Sequence, residues 1–131
     1  MDISVTSTST QVEDRSWLAS DFGTDEPRNI TLDVSAFTAG THYPNGYIPS
    51  GTVVGKITAS GLYGPYDNAA SDGTEVAAGL LFSSVKVGTA DVGAAMMDMG
   101  LVISAKLPFQ SGTGSIDTAG KTDLAGWFKF L

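Results

Sequence analysis

NGYIPSGTVVGKITASGLYGPYDNAASDGTEVAAGLLF (residues 45–82) holds the densest alternation of strand-forming and turn-forming residues in the chain. Val53, Val54, Ile57, Val76, Leu80, Leu81 and Phe82 are β-branched or bulky apolar residues that suit a pleated, half-buried surface. Between them stand Asn45-Gly46, Pro49-Ser50-Gly51, Ser60-Gly61, Gly64-Pro65 and Asp72-Gly73. These offer positive φ, fixed φ or a side chain that bonds its own backbone, which is how turns are encoded. The apolar runs at 53–58 and 76–82 predict strands covered on both faces, with residues 62–66 as a short extended piece between them.

Working outward, NITLDV (residues 29–34) alternates cleanly, with Ile30, Leu32 and Val34 on one face and Asn29, Thr31 and Asp33 on the other, and predicts a half-buried strand. A loop follows at 39–46. Downstream, residues 85–87 form a short strand and residues 88–93 a turn. AAMMDM (residues 94–99) fits a helix turn and a strand comparably well, and its methionines read as gap-filling core. LVISAKL (residues 101–107) is a strand ended by Pro108, and residues 110–115 are a glycine-rich loop. Asp117 or Thr118 can cap a short helix through Ala125, and residues 127–131 close the chain as a strand.

Composition bounds what such a fold can be. A chain of 131 residues is about one domain, and 16 glycines with 42% hydrophobic residues point to a turn-rich β protein rather than a helical bundle. The absence of cysteine excludes a disulfide framework and a thiolate metal site, and fits assembly in a reducing cytoplasm. A net charge of -7 with seven Lys and Arg argues against a nucleic-acid partner, whose phosphates need clustered cations. Met1 is followed by a polar run rather than a secretion signal, and no apolar run approaches the ~20 residues that span a bilayer, so no membrane association is expected.

Residues 1–27 differ in character, being Ser, Thr and acids with isolated apolar positions at Ile3, Val5, Val12, Trp17, Leu18 and Phe22. So polar a segment cannot bury enough surface to order itself, yet residues 2–8 partly alternate and favour an extended strand. A frayed terminus is one reading. An arm that orders on a neighbour, adding a strand to a foreign sheet edge, is the reading favoured by the cost of leaving Trp17, Leu18 and Phe22 in water.

Candidate chemistry is sparse. GSIDTAGKT (residues 114–122) has five residues between Gly114 and Gly120 where a phosphate-binding loop has four, and reads as a helix start after a loop. Asp67, Asn68, Asp72 and Gly73 lack the alternation and the closing Glu of a calcium loop, and read as turn chemistry. His42, the single histidine, has no nucleophile elbow to serve and reads as structural. Glu13-Asp14 and Asp25-Glu26 lie in or near the polar segment, not on rigid strands where general acids and bases are held. Asn29-Ile30-Thr31 matches a glycosylation acceptor by chance. No enzyme activity, cofactor or metal is expected.

The order of several pieces is more specific than any one of them. Ser50-Gly51-Thr52-Val53-Val54-Gly55, Tyr63-x-x-Tyr66-Asp67, and Asp72-Gly73 followed by Val76-Ala77-Ala78-Gly79-Leu80-Leu81 resemble the head decoration proteins of tailed bacteriophages, the family of the lambda decoration protein D. RSWLAS (residues 15–20), ITLDVSAFTAGTHYPNGYIPSG (residues 30–51) and Asp123-Leu124-Ala125-Gly126 are similar to versions from phages of Gram-positive, particularly actinobacterial, hosts.

The resemblance implies a mainly β fold: a small β-barrel or β-sandwich-like domain at 28–131, with one or two short helices and an extended N-terminal arm at 1–27. It implies a capsid decoration, or cement, protein of the virion. A homotrimer would sit at local three-fold positions on the outer surface of the mature head and tie the major capsid protein together against packaged DNA. On this reading Ile3, Val5, Val12, Trp17, Leu18 and Phe22 anchor the arm, and residues 1–22 can be deleted without unfolding the trimer. Trp127, Phe128 and Phe130 of the apolar C-terminal strand are candidate trimer contacts. The alternative is a virion-surface carbohydrate- or host-binding module that uses exposed Trp17, Tyr43, Tyr47 and Tyr63 as stacking platforms.

Overall fold

A computed structural model describes residues 14–20 and 27–131. The expectations for Ile3, Val5, Val12 and Phe22, and for a strand at 2–8, lie outside the described residues.

The fold is mainly β with two short α-helices. Its centre is a closed five-stranded barrel of order β1-β4-β3-β5-β7, made by β1 (Arg28–Leu32), β3 (Val53–Lys56), β4 (Tyr63–Pro65), β5 (Gly79–Leu81) and β7 (Val92–Met97), with β2 (Tyr47–Ile48) pairing β6 (Val85–Lys86) beside it. The longest pairing is antiparallel, Arg28 opposite Met96 through Leu32 opposite Val92. Closure removes the open sheet edges that would otherwise template foreign pairing.

Alternation along the strands explains the apolar runs. Ile30, Leu32, Val54, Tyr63, Leu81 and Met96 supply an apolar residue from every barrel strand and form the interior, joined by Phe37, Ile48 and Val85. Their neighbours Val53, Leu80 and Met97 point the other way into a second cluster with Trp17, Tyr66, Ala77, Val102, Leu107, Leu124 and Phe128. That outer cluster is covered by β8 (Gly100–Val102), by β9 (Phe128–Phe130), which pairs with β8 in parallel, and by the turn-to-helix region that includes α2 (Thr118–Asp123). Strands covered on both faces carry apolar residues at consecutive positions.

Several predicted boundaries move. The strand expected at 29–34 stops at Leu32, because the Asp33 carboxylate accepts from Ser35 N and starts a 3-10 turn at Val34–Ala36. The loop expected at 39–46 contains one helical turn, α1 (Ala39–His42). The strand expected at 76–82 shrinks to β5, since Val76 N closes a turn onto Gly73 O and the Val76 side chain is exposed. Residues 94–97 resolve as strand and Asp98 and Met99 as a bend after it, and Val92 and Gly93, expected in a turn, belong to the strand. The run at 101–107 leaves the sheet after Val102 for a 3-10 turn at Ser104–Lys106. Asp117 caps α2 as expected, its carboxylate accepting from Gly120 N at 2.7 Å.

Candidate functional site

Residues 14–20 bring the chain from its N-terminal segment onto the domain. The Asp14 carboxylate accepts from Ser16 N at 3.0 Å, which favours its charged form and holds its pKa below the usual carboxylate value. Leu18 N donates to Arg15 O and closes the turn. The chain then lies antiparallel to β8: Leu18 bridges Val102, Ala19 N donates to Leu101 O, and Ile103 N donates to Trp17 O. The result is a small three-row layer, with β8 in the middle, residues 17–19 on one side and β9 on the other.

Trp17, expected as an arm anchor, is instead a core residue. It is fully buried, and its Nε1–H donates to Ser50 Oγ at 3.1 Å. Gly51 makes this possible: its φ of +93° suits glycine, and a Cβ there would stand 2.8 Å from Trp17 Nε1 and 2.9 Å from Pro108 Cδ. Leu18 is half-buried against the same cluster. Arg15 lies on the β5–β6 connection, its Nε donating to Phe82 O at 2.8 Å, its Nη2 to Ser83 Oγ at 2.9 Å, and its guanidinium 4.2 Å from the Phe82 ring centroid. Sequence reasoning passed over Arg15, whose signal was its place two residues before a tryptophan.

The three C-terminal aromatics separate. Phe128 is buried in the outer core, a correction to its expected place at a contact between copies, because the parallel pairing with Gly100 turns its ring inward. Phe130 is half-buried and stacked on Phe128, with centroids 6.0 Å apart. Trp127 is 66% exposed, beside a cleft of about 460 Å³ lined also by Arg28, Tyr63, Ala78, Met96, Asp98 and Met99. Arg28 and Asp98 pair across it at 3.2 Å, an exposed ion pair worth about 0–1 kcal/mol.

The other polar candidates serve the fold. His42 is buried, with Nδ1 accepting from Thr38 N at 2.8 Å and Nε2 2.9 Å from Thr113 Oγ1, and burial pushes its pKa below the ordinary value. Asp67 accepts from Ala69 N, and Asp72 from Thr74 N, as their turns require. Tyr66, also buried, donates to Asp117 Oδ1 at 2.7 Å; burial first, then the Asp117 carboxylate, pushes its pKa up. Among the described residues no three His, Cys, Asp or Glu side chains gather as metal ligands, and no helix is long and apolar enough to cross a membrane. Stacking on Trp17 and Tyr63 is ruled out by their burial at 0% and 8% exposure, because one fills the outer core and the other the barrel.

The fold is thus a barrel with a filled interior, with Asp67 and Asp72 held in turns and residues 17–19 pinned along its side. The family model of the bacteriophage lambda head decoration protein D matches residues 10–125, and the chain belongs to that family. It is a structural component of the phage head, associated with the capsid at the virion surface. Searches of curated proteins and of solved structures give no match.

Proposed function

We propose that the chain acts as a homotrimer that binds the major capsid protein at local three-fold positions of the mature head and stabilises the shell against internal DNA pressure. Residues 1–13 serve as the capsid-binding part of each arm, with Ile3, Val5 and Val12 as anchors and residues 1–10 adding a strand to a capsid-protein sheet. The observation that carries this reading is the docking of residues 14–20 on the domain, which roots the preceding segment at a fixed place. From that root an extended chain of residues 1–13 reaches at most about 45 Å. Three arms on one trimer make the second and third contacts intramolecular, which raises avidity by roughly a hundred-fold or more. A cyclic trimer also presents identical arms to equivalent surfaces.

Burial of Trp17 redraws the test. A deletion through residue 22 would remove a core side chain, so the informative truncation is of residues 2–13. The truncated protein should keep the solution mass of the full chain and fail to bind purified capsids lacking decoration protein, as read by co-sedimentation. Normal decoration by the truncated protein would refute the arm reading, and a monomeric mass for the full chain would refute the trimer.

A further inference from the structure

We propose that Arg15 is the positioning residue of the arm: it sets the point and direction at which residues 1–13 leave the domain, without itself contributing the capsid contact. This rests on the arm reading above and adds to it a residue on the domain side.

Trp17 burial and the backbone pairing of residues 17–19 along β8 hold the chain on the C-terminal side of the turn, and leave the side that faces residues 1–13 to other contacts. Arg15 supplies them. A planar guanidinium that donates from Nε and Nη2 to different acceptors, Phe82 O and Ser83 Oγ, while lying over the Phe82 ring has its orientation set by three contacts at once. A lysine has a single ammonium on a flexible stem and cannot reproduce all three. The two anchors are also linked through Ser50: its Oγ accepts from Trp17 Nε1 and donates at 2.8 Å to the Phe82 carbonyl, which accepts from Arg15 Nε at 2.8 Å as well.

Between the anchors the backbone is closed by Leu18 N on Arg15 O at 2.9 Å, and on its outer side by Ser16 N on the Asp14 carboxylate at 3.0 Å. Asp14 and Ser16 are exposed while Arg15 and Trp17 turn inward, so the chain leaves past Asp14 from a turn tied to the barrel. The effective concentration of a tethered arm at its target depends on where its root points. A loss of two- to three-fold per arm multiplies over three arms to about ten-fold or more in dissociation rate.

The test compares the full chain, Arg15→Ala, Arg15→Lys, Ser83→Ala and a deletion of residues 2–13 on capsids lacking decoration protein. Dissociation rates are measured alongside the thermal midpoint of each free protein. In parallel, synthetic peptides of residues 1–20, with Arg15 or with Ala in its place, compete with the full chain for the same capsids. Arg15→Ala should fold and dissociate about ten-fold faster, with Arg15→Lys and Ser83→Ala in between, and the two peptides should compete equally because neither has a domain to be positioned on. A weaker Ala-containing peptide would make Arg15 a capsid contact and overturn the proposal. So would wild-type dissociation of Arg15→Ala, or of both milder variants should Arg15→Ala fail to fold. If the deletion leaves binding intact, the arm reading itself falls.

Discussion

Trp17 Nε1 donates to Ser50 Oγ across 33 positions of sequence, and this one bond joins the N-terminal segment to the turn that opens β3. The indole is fully buried, so its removal leaves a large cavity in the outer core and takes from the Ser50 hydroxyl its donor, though not its bond to Phe82 O. Trp17→Ala should cost about 3–5 kcal/mol, read as a lowered urea midpoint with an unchanged slope. Deleting residues 2–13 should shift that midpoint far less.

Gly51 tests the same junction from the other side. Its φ of +93° is strained for any side chain, and a Cβ would press on Trp17 and Pro108. Gly51→Ala should therefore destabilise by about 1–3 kcal/mol. The expected signature is a change in the indole fluorescence of Trp17, separable from that of exposed Trp127 by acrylamide quenching.

How far the sequence foretold this molecule depends on the range of the interaction involved. Local chemistry was legible: the alternation of Ile30 and Leu32, the Asp117 cap and the Asp72-Gly73 turn all rest on neighbours within a few residues. Consecutive apolar positions at Val53-Val54 and Leu80-Leu81 also announced double cover correctly. Which element covered them was not legible. Trp17 reads as an arm anchor because its segment is polar, and Phe128 as a contact between copies because its strand is short, apolar and terminal; only the non-local pairing with β8 turns them inward. The single exposed tryptophan, Trp127, carries no local mark that separates it from its buried neighbour Phe128.

Tyr66 and Asp117 join a barrel-side residue to the start of α2. Asp117 Oδ1 accepts from both Tyr66 Oη and Gly120 N, each at 2.7 Å. Asp117→Ala removes the cap and orphans a buried hydroxyl, which should cost about 2–3 kcal/mol. Tyr66→Phe should cost about 1 kcal/mol. In the double variant the losses should be less than additive, as a double-mutant cycle by chemical denaturation would show.

His42 should make the fold sensitive to mild acid. Thr38 N–H points at Nδ1, so the native ring carries its proton on Nε2, toward Thr113, and a second proton would face a donor. Burial lowers the folded pKa, so the unfolded chain takes the proton first. Stability is then complete above the unfolded value of about 6.5 and falls as pH drops through it toward the folded pKa. His42→Gln should be less stable at neutral pH but lose less between pH 7 and 5, measured as the difference in unfolding free energy between the two proteins. An equal slope for both would show that His42 does not titrate in this range.

With Phe128 assigned to the core, exposed Trp127 and half-buried Phe130 remain as the proposed trimer contact, and Trp127 is the more accessible of the two. At 66% exposure, next to a cleft lined by Met96 and Met99 as well as by the Arg28–Asp98 pair, it offers surface that association would cover. Trp127→Lys should leave the midpoint of a dissociated chain nearly unchanged, because little packing is lost. In sedimentation equilibrium it should weaken self-association by about ten-fold or more, as removing a central tryptophan from an interface does. If Trp127→Lys keeps the mass of the unsubstituted protein at every concentration, the copies meet through another face. The exposed side chains of Val76 and Leu131, at 54% and 61%, are the next positions to substitute.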